Sequence, residues 1–186
     1  MAMRPLRWGR AQHPSPITIT ITITITPIVQ WPPGDTLKGG SGMGEAWRRV
    51  VESGAMDGPN PRCGEAPPEG LLAGVRLFNA GQFYECHEEL ETIWKVEREP
   101  IRYLYQGILQ IGVGFHHLRN RNFRGATLLL HDGIDKTARY LPECMGLDTA
   151  RLCVEARHCL DTLHALGRER VTEFDWRLVP KVWRAE

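Results

Sequence analysis

Apolar residues recur with a helical period from about residue 69 to the end of the chain. The first stripe follows two prolines and occupies positions i, i+1, i+4 and i+7: Leu71, Leu72, Val75 and Phe78. Similar stripes follow over about residues 82–97, 100–119, 123–140 and 149–166, with short breaks between them. Short connections favour antiparallel neighbours. The pattern therefore predicts an all-α fold, a compact bundle of about five helices.

The predicted third helix is apolar on nearly all sides, which is typical of a central bundle helix. Gly107 and Gly114 are seven residues apart and share one face, so we expect a neighbouring helix to approach closely there. On the fourth helix the residues expected to face inward are Ala126, Leu129, Leu130, Ile134 and Thr137. Asp148 can cap the start of the fifth helix and Gly167 can end it. The apolar residues after it should pack over the bundle: Val171, Phe174, Trp176, Leu178 and Trp183.

The first part of the chain has a different composition. Residues 1–70 hold 10 of the 13 prolines and 10 of the 19 glycines, and residues 17–26 alternate Ile and Thr. That alternation has the period of a strand, but no second strand-like run offers a partner. We therefore divide the chain into a low-complexity, largely disordered leader over 1–68 and a helical-bundle domain over 69–186. Met43 and Met56 are alternative starts, so whether residues 1–42 belong to the native protein is left open.

Charge and cysteine content narrow the class of protein. The net charge is +1, which does not favour nucleic-acid binding, and no apolar stretch is long enough to span a membrane. The five cysteines are odd in number and form no CxxC pair. We therefore expect reduced thiols, a cytoplasmic location and a soluble protein.

Polar residues share the faces of the second and third predicted helices. At 100° per residue, His87, Glu91 and Trp94 fall within one narrow arc, and a second stripe combines Gln106, Gln110 and His117. Burying such groups without partners costs about 1–3 kcal/mol each. We therefore expect them to meet in one interior polar cluster.

Three interpretations of this cluster remain open. It is a structural hydrogen-bond network, a metal site, or a pocket in which His87 or His117 acts as base and Glu91 orients it. The metal interpretation is weak because neither the Glu-x-x-His motifs of di-iron bundles nor a complete HExxH motif is present, so we assign no metal and no cofactor. Separately, Arg119, Arg121 and Arg124 form either an ordinary solvated surface or a site for an anion or RNA.

Two stretches carry a family resemblance. FNAGQFYECHEELETIW, followed by YQGILQIGVGFHHLRNRNFRGATLLL, resembles the bacterial and plastid-lineage family called domain of unknown function 309. The resemblance covers about residues 70–140 and implies a small all-α fold without an assigned activity. It implies a signature on the second, third and fourth helices: His87, Glu88, Glu91, Trp94, Gln106, Gln110, His117 and Gly125.

These observations favour a binding or interaction module over an enzyme. Its partner is unknown, and a homo-oligomer is one of the arrangements considered. The binding candidates are Glu88, Trp94, Gln106 and Gln110. The alternative is a small, hydrolase-like enzyme, with or without assistance from a metal ion, that uses His87, Glu91 and His117.

Overall fold

The structure, a computed structural model, describes residues 60–185. Over this range the chain forms five α-helices: α1 (Glu69–Asn79), α2 (Phe83–Val96), α3 (Arg102–Arg119), α4 (Phe123–Thr137) and α5 (Thr149–Leu166). The prediction of an all-α fold with five helices is confirmed. The leader predicted over 1–68 lies outside the described residues, apart from 60–68.

Short elements join and extend the helices. Single 3₁₀ turns occupy Pro61–Gly64, Ala138–Tyr140, Val171–Glu173 and Trp176–Leu178. Between α4 and α5, β1 (Glu143–Cys144) and β2 (Leu147–Asp148) pair antiparallel, with Cys144 opposite Leu147. Two residues per strand are too few to leave a period in the sequence, so this hairpin was not predicted.

Helix α3 is the central element. Eleven of its 18 residues are buried, and it packs against α2 on one side and α4 on the other. The residues predicted to face inward on α4 are all buried. The caps predicted for α5 are also confirmed, since Asp148 Oδ1 accepts from the Arg151 N–H at 2.8 Å and Gly167 follows the helix with a φ of 70°.

The glycines of α3 allow α4 to approach closely, as predicted. A Cβ built on Gly107 would lie 3.0 Å from the Gly133 carbonyl oxygen, and one on Gly114 would lie 2.9 Å from Leu130 Cγ. Gly133 of α4 is the counterpart that the sequence analysis missed. A Cβ there would lie 2.8 Å from both the Gly107 oxygen and the Ile111 nitrogen. The two backbones therefore meet at Gly107 and Gly133.

The C-terminal segment covers the bundle only in part. Val171, Phe174 and Val182 are buried, whereas Trp176 and Trp183 are each 43% exposed. The expectation that this segment packs over the bundle is met by its buried residues, while the two tryptophans are only partly covered. The segment is held to α1 by Asn79, whose amide donates to the Val182 carbonyl at 2.9 Å and accepts from the Val182 N–H at 2.8 Å.

The pairing of two cysteines contradicts the expectation of reduced thiols. Cys63 and Cys144 form a disulfide that closes a sequence separation of 81 residues, so the thiols are not all reduced. It joins the 3₁₀ turn at 61–64 to β1, and so anchors part of the segment assigned to the leader. The remaining cysteines are free and buried: Cys86, Cys153 and Cys159.

Membrane insertion by a helix receives no support from the described residues. None of the helices between residues 60 and 185 combines the length and the apolar character needed to cross a bilayer.

Candidate functional site

The candidate residues of α2 lie at the edge of the core. The core side of α2 is formed by Phe83, Cys86 and Leu90, which are all buried. His87, Glu91 and Trp94 are half-buried, and Glu88 is exposed. The prediction that His87 and Glu91 are interior was therefore wrong, because the buried stripe of α2 runs through Cys86 and Leu90 instead.

The candidate residues of α3 face the same side of the molecule. Gln106, Gln110 and His117 are also half-buried. Helices α2 and α3 run antiparallel, since the Tyr84 and His116 rings lie 5.8 Å apart at one end and Arg102 lies 5.5 Å from the Trp94 ring at the other. We name the resulting surface the α2–α3 face, and its residues are Tyr84, His87, Glu91, Trp94, Gln106, Gln110, His116 and His117.

The polar groups of this face do not form the predicted hydrogen-bond network. Glu91 pairs with Lys95, at 2.9 Å, one turn along its own helix. Trp94 Nε1 and Gln110 Oε1 are buried atoms without a hydrogen-bond partner among residues 60–185. His87 is therefore not oriented by Glu91, and the face retains a donor and an acceptor that the fold leaves unsatisfied.

Four neighbouring rings form a cluster at one end of the face. The Tyr84 ring lies 6.3 Å from that of His87 and 5.8 Å from that of His116, and the His116 and His117 rings lie 6.2 Å apart. Tyr84 is 40% exposed. Rings at these separations are in contact, but they are tilted to one another by 37° to 74°. The exposed Tyr84 ring is therefore the flat surface on which another planar group can stack.

Asn122 fixes the proton position of His117. The Gly125 N–H donates to Asn122 Oδ1 at 3.0 Å, which caps the start of α4. A backbone N–H can only donate, so the Asn122 atom that it contacts is the amide oxygen. The other end of the Asn122 side chain is therefore its NH₂ group, which lies 3.0 Å from His117 Nδ1. Nδ1 is therefore an acceptor. The imidazole is neutral, with its proton on Nε2.

Burial favours the same neutral state. Desolvation lowers the pKa of His117, and the adjacent His116 lowers it further. Gly125 makes this arrangement possible, because a Cβ there would lie 2.7 Å from Asn122 Nδ2 and 2.9 Å from His117 Cγ. The motif His-x-x-x-x-Asn-x-x-Gly thus builds a helix cap that carries a neutral histidine.

The donor set does not suit a metal ion. No group of three or more His, Cys, Asp and Glu side chains between residues 60 and 185 is arranged to hold one. His87, Glu91 and His117 therefore do not form the metal site considered from the sequence. The α2–α3 face offers hydrogen bonds and stacking surfaces instead.

Comparison with known proteins supports the family resemblance. The family model described as "Domain of unknown function (DUF309)" matches residues 71–129. The family resemblance is confirmed. The "Uncharacterized protein YpuF" of Bacillus subtilis (strain 168) is 36% identical over 89 residues, which cover 46% of this chain and 51% of that relative. The match thus spans about half the length of the relative. No solved structure matches the chain significantly.

The sequence analysis assigned no role to three residues that shape the site. Asn122 sets the state of His117, Asn120 contacts His116 Nε2 through Nδ2 at 3.0 Å, and Arg102 lies over Trp94. The signal for Asn122 was present in the sequence, since an Asn three residues before Gly125 at a helix start is typical of an N-cap. The contact of Arg102 with Trp94 depends on the angle between two helices and leaves no such signal.

Proposed function

We propose that this helical domain is a binding module and that the α2–α3 face is its recognition surface. The observation that carries the proposal is the 3.0 Å contact between the Asn122 amide nitrogen and His117 Nδ1. Asn122 occupies Nδ1, so the remaining polar group of the ring is the Nε2–H donor on a half-buried surface. A donor held in one state beside exposed rings suits the recognition of a hydrogen-bond acceptor.

The same geometry disfavours the alternative, a small hydrolase-like enzyme. A general base needs a free lone pair, and the lone pair of His117 accepts from Asn122. His87 has no orienting carboxylate, because Glu91 pairs with Lys95. Neither histidine therefore has the partner that would activate it for proton abstraction.

The rings define the kind of group that the face can accept. Tyr84 is exposed and lies within 6.3 Å of the His87 and His116 rings, so a planar group can stack beside the His117 donor. We therefore expect a partner that presents a flat group next to a carbonyl or similar acceptor.

Benzamide is a suitable probe because it joins a flat ring to a neutral carbonyl. Titrated into the isotopically labelled full chain, it should shift NMR resonances of α2 and α3 around Tyr84 and His117. His117→Phe keeps a ring but removes the donor, and should weaken binding about tenfold. The matched control is His131→Phe, an exposed histidine of α4 paired with Asp132 and Asp135.

Three results would contradict the binding proposal. The first is an absence of shifts on the α2–α3 face, and the second is equal weakening by both histidine variants. The third is hydrolysis of p-nitrophenyl acetate above the buffer rate that is lost in His117→Phe and kept in His131→Phe. That third result would support the enzyme alternative.

Self-association and the cytoplasmic location expected from the sequence each have a separate test. Light scattering of the purified chain tests self-association, and a strict monomer would contradict it. The disulfide between Cys63 and Cys144 argues against a reducing compartment, since disulfides persist mainly where conditions are oxidising. Non-reducing electrophoresis of protein trapped rapidly from cells would decide the point, and a free Cys63 would favour the cytoplasm.

A further inference from the structure

A cleft separate from the α2–α3 face lies where three segments meet. The turn between α1 and α2, the turn between α3 and α4, and the C-terminal segment border an open cleft of about 610 Å³. That volume is within the range of about 300–1,000 Å³ typical of small-molecule sites. We propose that this cleft binds a small organic anion, with its charged oxygens on Arg119 and Arg121 and its apolar body against Trp176.

The charge of the cleft is positive. Its lining contains Arg119 and Arg121 but no aspartate or glutamate. The acidic residues that follow in the C-terminal segment are held by other arginines, Glu173 by Arg170 at 3.9 Å and Asp175 by Arg177 at 2.8 Å. The two guanidinium groups of the cleft are therefore not neutralised from its own walls.

Arg119 is held in place before any ligand binds. Its Nη2 donates to the Gly81 carbonyl at 3.0 Å, and its Cζ lies 5.2 Å from the Phe83 ring centre and 5.8 Å from that of Trp176. A guanidinium has five N–H donors, so this arrangement leaves donors for an oxyanion. Because the side chain is already ordered, binding costs less conformational entropy.

Arg121 supplies the second charge. It lies in the turn between α3 and α4 with a φ of 57°, and its side chain forms no ion pair or hydrogen bond with another residue of the described range. A left-handed backbone is uncommon for a residue with a Cβ. This exposed guanidinium at the edge of the cleft is free to pair with an incoming anion.

The apolar residues that line the cleft determine which uncharged part of a ligand it can accept. Leu118, Val171 and Val179 line the cleft, and the Trp176 ring beside them is 43% exposed. An inorganic ion would leave this apolar surface in water. A flat apolar group that carries a phosphate or carboxylate fits both parts, because burial of apolar area adds to the charge-assisted hydrogen bonds.

Phenyl phosphate is the probe for this site, measured by calorimetry on the full chain. We expect saturable binding, and inorganic phosphate should bind about tenfold more weakly because it cannot use the apolar wall. Arg121→Gln should weaken phenyl phosphate about tenfold by removing one charged contact. Arg124→Gln removes an equal charge from the first turn of α4, outside the cleft, and should change binding less than twofold. Trp176→Leu should reduce the preference for phenyl phosphate over phosphate.

The proposal is overturned if phenyl phosphate does not bind at about 10 mM. That concentration is above the range of about 1 μM to 1 mM in which enzymes typically bind their substrates. Equal weakening by Arg121→Gln and Arg124→Gln would also overturn it, because it would indicate attraction by overall charge alone. Equal affinity for phosphate and phenyl phosphate would refute the role of the apolar wall. These outcomes are independent of the benzamide experiment, since the cleft contains none of the residues of the α2–α3 face.

Discussion

Replacing Gly133 with alanine tests the closest backbone contact of the fold. The new Cβ would lie 2.8 Å from both the Gly107 carbonyl oxygen and the Ile111 nitrogen. Both are backbone atoms of α3, so neither can rotate away as a side chain would. Helix α4 must therefore move outward, and the contacts along its buried face must loosen.

The expected cost follows from two opposing effects. Alanine is a better helix former than glycine by about 1 kcal/mol, and overpacking costs about 1–3 kcal/mol. Because the obstacles are backbone atoms, we take the upper value and expect a net destabilisation of about 2 kcal/mol. Gly112→Ala is the matched control on α3. Its Cβ would lie 3.4 Å from Phe78 Cδ2, an ordinary contact, so stability should rise by up to about 1 kcal/mol.

Urea unfolding followed by far-ultraviolet circular dichroism measures both effects. With a denaturant slope of about 2 kcal/mol/M, Gly133→Ala should lower the midpoint by about 1 M, and Gly112→Ala should raise it slightly. A midpoint for Gly133→Ala at or above that of the wild type would refute the close approach of α3 and α4. An equal loss in both variants would show that any alanine in these helices is harmful, and that the distance is irrelevant.

Three further predictions concern the connections of the bundle. Cys63→Ser should lower the free energy of unfolding by about 4 kcal/mol in urea, because the disulfide closes an 81-residue separation, and unchanged stability would contradict this. Asn79→Ala should speed trypsin cleavage of the C-terminal segment, since both hydrogen bonds to Val182 are lost, and a wild-type rate would count against that anchor. Asn122→Asp keeps the cap but places a carboxylate beside His117 Nδ1, so an NMR titration should show the pKa of His117 rising. A lower or unchanged pKa would contradict the contact between residue 122 and His117. In the wild type the pKa of His117 is lower in the folded protein than in the unfolded chain. As the pH falls, the unfolded chain is therefore protonated at His117 before the folded protein is. The contribution of His117 to stability consequently decreases as the pH drops below about 6.5.

The architecture could be predicted from the sequence because it depends on local signals. Helical periods, prolines and cap residues gave the helices to within a few residues, and the seven-residue spacing of Gly107 and Gly114 predicted a close approach. The pairing of Cys63 with Cys144 could not be predicted, because it joins positions 81 residues apart. Nothing in the local pattern near either cysteine identifies its partner.

The sequence predicted which residues share the candidate site, but it did not predict how deeply they are buried. The helical projection correctly grouped His87, Glu91 and Trp94, but it treated the Trp94 side as the buried one. The buried side centres on Phe83, Cys86 and Leu90, less than a quarter turn away. A small rotation of this kind is set by the packing of α2 against α1 and α3, and it changes an interior network into a half-buried surface.

The hydrogen bonds of Asn122 give the strongest link between a sequence motif and chemistry in this protein. A motif that contains histidine invites an interpretation as an acid or base, and His117 has the lowered pKa that often accompanies such a role. The Gly125 N–H determines which end of the Asn122 amide faces His117, and that end is a donor. The capping residue therefore occupies the lone pair of His117 Nδ1, which a general base would need. The Nε2–H group of His117 remains as a hydrogen-bond donor. This is the reason why we propose a binding surface and not an active site.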